Sequence, residues 1–388
     1  MKKKYYPIIS IALATVILTS AVLLVQINKS DTVETSKNLA LVDHSDTYAT
    51  ISTVYQRKTF SYDGTYWLFY CNGSSIFYTS SPDGSNWGAS TPLTDGLSAS
   101  AMSVWSENGV VHYAYAAGSS PIIYMRGEIV GKEIHWGEQK NVVLGVSTYE
   151  YYNAYCTVDS DGRPWISFIR YDNGSPEEPW SVQVVRADSP SGEHWSAPMQ
   201  ASENSFLPVR PCLVPLSESQ MYAIWVTQNG SEGALWDGTS WQPAEKISSR
   251  HPIIDYDYST ASLNDEVYLA LPENNTDNVY GYRRLANGEW QETLLAQQAT
   301  VAAVLSVDAS TKTLYCTWLH DHTLQLKKMI NGDWADVNIE NTVISSPSAF
   351  SASYNVDDGK LDVTLLDLVS TLPDPLLYKL YYFVIPNL

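Results

Sequence analysis

Positive charge is scarce in this sequence. Its 388 residues hold 23 Lys and Arg against 42 Asp and Glu, a formal net charge of −19. The first thirty residues carry four of the lysines (Lys2, Lys3, Lys4, Lys29) and no acid, so the remainder stands at 19 − 42, or −23. A surface this acidic repels phosphate backbones and excludes sequence-independent nucleic-acid binding. Cysteine is also sparse. Cys71, Cys156, Cys212 and Cys316 lie far apart, and no two have metal-ligand spacing. They read as buried free thiols; if any two are bonded, the pair is Cys156–Cys212, which occupy similar places in consecutive repeats. Helical period is missing too, since no window of twelve or more residues shows a 3.6-residue repeat. The chain has no P-loop, nucleophile elbow, Cys/His dyad or dinucleotide fingerprint. His320-Asp321-His322 is an incomplete metal set in a hairpin loop. Asp159-Ser160-Asp161-Gly162 and Asp357-Asp358-Gly359 are hairpin turns and not calcium loops. No cofactor or metal is expected.

What is abundant sets the class. Apolar residues make up 44% and charged ones 17%, with 27 Tyr and 13 Trp, which excludes disorder. Tyr, Trp, Val, Ile, Thr and Ser favour strands and turns. The N-terminus differs from the rest: Met1-Lys2-Lys3-Lys4 precedes an almost unbroken apolar run from Ile8 to Val25. That run is longer than a signal peptide's apolar stretch and slightly short of a full span. We read residues 1–30 as an uncleaved anchor with the lysines cytoplasmic, and a secreted form as the alternative. Residues 31–44 are a linker and possible closing strand, and 45–388 form one extracytoplasmic domain. Sequons stand at Asn28, Asn72, Asn173, Asn229 and Asn274, the last four in expected loops.

That domain repeats. A turn followed by Trp recurs at Trp87, Trp136, Trp195, Trp241, Trp290 and Trp334, at steps of 49, 59, 46, 49 and 44 residues. Asp-Gly and Asn-Gly between apolar runs are strong hairpin signals, because such turns need positive φ. Out of phase with them run seven apolar–turn–apolar segments, from STVYQRKTFSYDGTYWLFY to SAFSASYNVDDGKLDVTLL. The 344 residues from Ser45 give seven units of 49. Four evenly spaced strands per unit describe an all-β fold: a single β-propeller of seven four-stranded blades, six being the alternative. The last unit lacks a fourth strand, and residues 41–51 are placed to supply it and close the ring.

Ser81-Pro82-Asp83-Gly84-Ser85-Asn86-Trp87 resembles the Asp box of the sialidase and BNR-repeat superfamily, one residue short between acid and glycine. The other turns keep Gly and Trp, with Asp237 the one further acid in register. The resemblance spans about 340 residues as a degenerate pattern. It implies that Asp83 caps its turn, with Gly84 beside it, and that Trp87 and its five counterparts pack between blades. A sialidase site would need three arginines around a carboxylate, a Tyr–Glu pair and an acid/base Asp. The family's Arg-Ile-Pro motif before the first blade is missing. The nearest assignments are Arg57, Arg210 and Arg250 with Glu150 and Asp255. Fold does not fix function. The expectation is a membrane-anchored, non-catalytic module recognising glycan or protein, with an exo-acting sialidase-like hydrolase as the alternative.

In a propeller the loops entering the innermost strands share one face with those joining second and third strands. There units three to five are richest: Tyr151, Tyr152 and Trp180 offer flat rings, and Arg210, Arg250 and His251 offer donors. Such a group suits a carbohydrate or peptide.

Overall fold

The computed structural model describes residues 39–95, 99–175, 177–205, 210–227, 229–252, 258–274, 276–297, 299, 301–330, 332–339, 347–369 and 377–388. The chain divides into units 1–34 and 35–388, and every described residue belongs to the second. The apolar run Ile8–Val25 lies outside the described residues. Among those described, no helix is long and apolar enough to cross a membrane.

Seven antiparallel sheets follow one another, five of four strands and two of five. Blade 1 spans 59–95, blade 2 102–143, blade 3 149–200, blade 4 210–248, blade 5 259–296, blade 6 301–337 and blade 7 347–385. Ala40–Ser45 completes blade 7 by pairing with Tyr378–Ile385, so the two ends of the domain close the ring. The blade count is therefore seven.

Both faces of each sheet are covered. In blade 1, Trp67, Phe69 and Cys71 pack toward blade 2 with Val104 and Tyr113, while Leu68 and Tyr70 pack toward blade 7 with Leu366 and Leu380. Period-2 geometry sends alternate residues to opposite seams, so a strand buried on both sides reads as a continuous apolar run. First and second strands join through tight turns such as Asp63-Gly64 and Asn108-Gly109, both residues at positive φ.

One expectation holds and one is corrected. All four cysteines are buried and free. Cys156 sits in the cluster facing blade 2, whereas Cys212 approaches Thr260 Oγ1 of blade 5 at 2.9 Å, so they point to different seams. The segment from Ser52, read as strand, is not one until Thr59: a single 3-10 turn occupies Val54–Gln56. Its alternation is genuine, but Gln56, Arg57 and Lys58 find their partners on other blades.

Candidate functional site

The axis is blocked by the chain itself. Residues 51–58 run from the closing strand into the centre of the ring. Gln56 donates to the Ala154 carbonyl at 2.8 Å, and the Lys58 ammonium donates to the Met102 carbonyl at 2.6 Å. The Arg57 guanidinium donates to the carbonyls of Leu305 at 2.6 Å and Thr260 at 3.1 Å and to the Ser259 hydroxyl at 3.1 Å. Tyr55 stacks on Tyr258, ring centres 5.1 Å apart. The plug thus bonds to blades 2, 3, 5 and 6. Burial pulls the pKa of Arg57 below its usual value.

The three arginines have separate surroundings. Arg57 is 3% exposed, so no ligand carboxylate reaches it. Arg250 forks onto Glu292 (2.7 and 3.1 Å), reaches Glu273 at 2.9 Å, and lies 3.6 Å from the Tyr280 ring centre. Arg210 opens the innermost strand of blade 4, where its carbonyl accepts from Tyr258 at 2.7 Å. His251 is exposed, and its carbonyl accepts from the Asn274 N–H at 2.7 Å. Asp255 lies outside the described residues.

The aromatic group assembles on blade 3. Its innermost strand, Tyr149–Val158, carries a bulge between Tyr152 and Tyr155, with Asn153 at φ 53°. Above the bulge, Ala117–Gly118 pairs with Tyr151–Tyr152 on the free edge and holds the strand end in place. Tyr152 donates a short hydrogen bond to Glu150. Trp180 lies 4.6 Å from Tyr171 and 6.4 Å from Tyr152, ring centre to ring centre. Arg170 covers Tyr149 at 4.9 Å and donates to Gln200 at 3.2 Å. Tyr151 is different: it is buried against Phe168 and belongs to the core. Burial, then the bond to Glu150, push the Tyr152 phenol up to about 12. A phenol that resists ionisation is a poor nucleophile.

At the opposite end, where first strands turn into second strands, the axis opens into a basin of about 900 Å³ reached by all seven blades. Asp63, Glu107, Asp159, Asp265, Asp308 and Asp357 line it from every blade but the fourth, which contributes Ser217. Trp105 and Tyr354 meet there at 4.7 Å, and Arg57 lies behind Tyr354 at 5.4 Å. Chemically the basin accepts hydrogen bonds and attracts cations. Some of its acids also hold turns: Asp159 accepts from Arg163 N–H at 2.9 Å and from the Trp165 indole at 3.0 Å. The sequence reading missed this basin, although the signal was present as an acid recurring in the same turn of successive repeats.

The repeating tryptophans each meet the preceding blade. Trp87 crosses Tyr382 of blade 7 at 4.6 Å, Trp136 crosses Tyr78 of blade 1 at 6.1 Å, and Trp195 crosses Tyr124 of blade 2 at 4.9 Å. Trp241 meets Trp165 of blade 3 at 6.4 Å and Trp290 meets Tyr222 of blade 4 at 5.9 Å. Trp334 packs into the cluster holding Tyr268 of blade 5. Asp83 accepts from Ser85 and Asn86 N–H at 2.8 and 2.7 Å, and these bonds hold its carboxyl below the usual range. Gly84 stands at φ 73°, and a Cβ there would lie 3.1 Å from Val384 of blade 7. Among the described residues, no three His, Cys, Asp or Glu gather as metal ligands.

The molecule is a seven-bladed β-propeller. No protein-family model matches the chain, and no curated protein matches it in sequence. Among solved structures it is similar to an ulvan lyase, a polysaccharide lyase bound to -[GlcA(1-4)Rha3S]-, with TM-score 0.63, 9% identity, and 90% of this chain and 96% of that one covered. It is similar to the WD40 domain of Toxoplasma gondii coronin with TM-score 0.53, 10% identity and coverage of 91% and 86%. The sialidase of Trypanosoma rangeli matches with TM-score 0.47, 13% identity and coverage of 74% and 54%. At these identities the likeness establishes the architecture.

Proposed function

We propose that this chain is an extracytoplasmic sialidase-like propeller, held at the cell membrane by Ile8–Val25, that binds a glycan without cleaving it. The observation that carries the reading is Arg57. It stands just ahead of the first blade, where the resemblance calls for a carboxylate-binding arginine, yet its guanidinium is sealed among main-chain carbonyls. Arg250 is likewise engaged by Glu273 and Glu292. Carboxylate recognition by converging arginines has no free members in these two. The binding surface is the Tyr152, Tyr171 and Trp180 group, whose rings suit sugar C–H faces while Glu150 and Gln200 accept hydroxyls. The ulvan lyase, a propeller bound to an oligosaccharide, supports a glycan as ligand by analogy of fold.

The second reading, an exo-acting sialidase-like hydrolase, draws on the hydrogen-bonded Tyr152–Glu150 pair. A glycan array probed with residues 40–388, beside hydrolysis of a chromogenic sialoside, separates the two. Array binding without turnover is expected. Hydrolysis that disappears in Tyr152→Phe would establish the enzyme instead.

A further inference from the structure

Outside the blade 3 platform and the basin, one arginine has no hydrogen-bond or ion-pair partner among the described residues. Arg186 ends the third strand of blade 3, opposite Trp165 in the ladder. Its guanidinium lies 5.5 Å from the Trp165 ring centre and 5.1 Å from that of Trp236 on blade 4. Both rings are fixed: Asp159 holds the Trp165 indole N–H at 3.0 Å, and the two rings cross edge to face at 5.8 Å. The guanidinium is therefore stacked and positioned, with its N–H edge still to be satisfied.

Elsewhere this acidic chain pairs its arginines. Arg126, Arg163, Arg250, Arg283 and Arg284 each hold a carboxylate. Among the described residues, none accepts a hydrogen bond from the Arg186 guanidinium. Asp188 is two residues away, but it accepts the Ser189 hydroxyl at 3.0 Å and makes no ion pair with Arg186. A surface groove of about 470 Å³ lies here, lined by Arg186, Arg163, His194, Trp195, Asp188 and Ser196. Arg163 is a third exposed and leans on Asp161 at 3.1 Å. His194 is exposed.

We propose that this groove binds an oxyanion, a carboxylate or a sulfate ester, with Arg186 as its bidentate anchor and Arg163 and His194 as further donors. A guanidinium matches two oxygens of one such group, and stacking on fixed rings removes the side-chain entropy that an exposed arginine would lose on binding. The anion would be a free small molecule or the acidic group of a sugar. The site stands apart from the glycan platform and does not depend on it.

The test is titration of residues 40–388 with glucuronate, glucose 6-sulfate, inorganic sulfate and glucose, at ionic strength held constant with chloride, read by calorimetry and ligand-observed NMR. Saturable binding of the anions and none of glucose is expected. Binding of inorganic sulfate as tight as that of the sugars assigns the site to free anions, and tighter sugar binding assigns it to an acidic glycan. Arg186→Lys keeps the charge and stem but loses the fork, and should weaken binding at least tenfold with an unchanged melting midpoint. Arg163→Gln, chosen should the first variant fold poorly, should weaken it severalfold. Equal affinity in folded Arg186→Lys and in Arg163→Gln, or no saturable anion binding by the wild type, would overturn the proposal.

Discussion

The two ends of the propeller axis are made from the two ends of the same seven innermost strands, yet they carry opposite solutions. At the end where first strands turn into second strands, tight turns leave an open basin rimmed with carboxylates. Toward the other end the chain fills its own axis with residues 51–58, whose cations donate to carbonyls of several blades. Strand ends at a ring centre expose main-chain groups that must be satisfied by something. A tight turn satisfies its own, whereas strands that enter from separate loops need a partner from outside. Arg57 and Lys58 are that partner, which is why two cations are buried in a protein so poor in them.

The largest effect should come from removing the plug. Arg57→Ala strips a donor from the buried carbonyls of Thr260 and Leu305, and at roughly 1–3 kcal/mol for each group left unsatisfied, with the lost packing of the buried side chain added, the loss should be about 3 kcal/mol. Chemical denaturation measures it, and an unchanged midpoint would mean the axis needs no plug.

Next comes Asp362, buried between blade 7 and blade 1 near the basin. Burial foremost raises its carboxyl to about 7; the hydroxyls of Tyr382 and Ser61 oppose the shift, Asp357 adds to it and Lys360 opposes it. A carboxyl raised on folding binds a proton in the native state that the unfolded chain has already released. Stability from this group is therefore highest below the ordinary carboxylate range and declines as pH rises toward and through 7. Asp362→Asn should flatten that decline and raise stability at pH 8 by about 2 kcal/mol or more. Melting curves from pH 5 to pH 8 that overlay for wild type and variant would break the argument.

The seams should respond less. Trp136 is half-buried against Phe69, Tyr78 and Tyr113. Trp136→Ala should cost about 2 kcal/mol, below the 3–5 typical of a fully buried ring, with glycan binding by the folded protein intact. Loss of binding at full stability would move that ring from scaffold to site.

The smallest effect belongs to the blade 3 surface. Trp180→Ala removes the ring shared by Tyr152 and Tyr171 and should weaken array binding about tenfold, about 1.4 kcal/mol, with little change in melting. Undiminished binding would shift attention to the basin at the other end.

Much of the fold was legible because its signals are local. Asp63-Gly64 and Asn108-Gly109 announce hairpins through their φ requirement, and Trp87 to Trp334 mark the repeat. The closing strand followed from a missing fourth strand in the last unit. The candidate site was less legible. Tyr151 and Tyr152 are neighbours in sequence, but one belongs to the core and the other to the surface, because a strand sends them to opposite faces. Arg57 and Arg250 look like ligand donors in one dimension, and only their surroundings reveal a plug and a clamp.

The sequence by itself determined the blade: its four-strand period, its turns, and the tryptophan that follows each outer turn. These depend on residues within about fifty positions of one another, where φ preferences and apolar alternation act directly. Tertiary structure alone decided which charges serve the scaffold and which are left for a ligand. Arg57 meets Leu305 across 248 residues, and Arg186 meets Trp236 across a seam between two blades. Whether a guanidinium is satisfied depends on neighbours that ring closure brings together, and no local pattern in the chain records them.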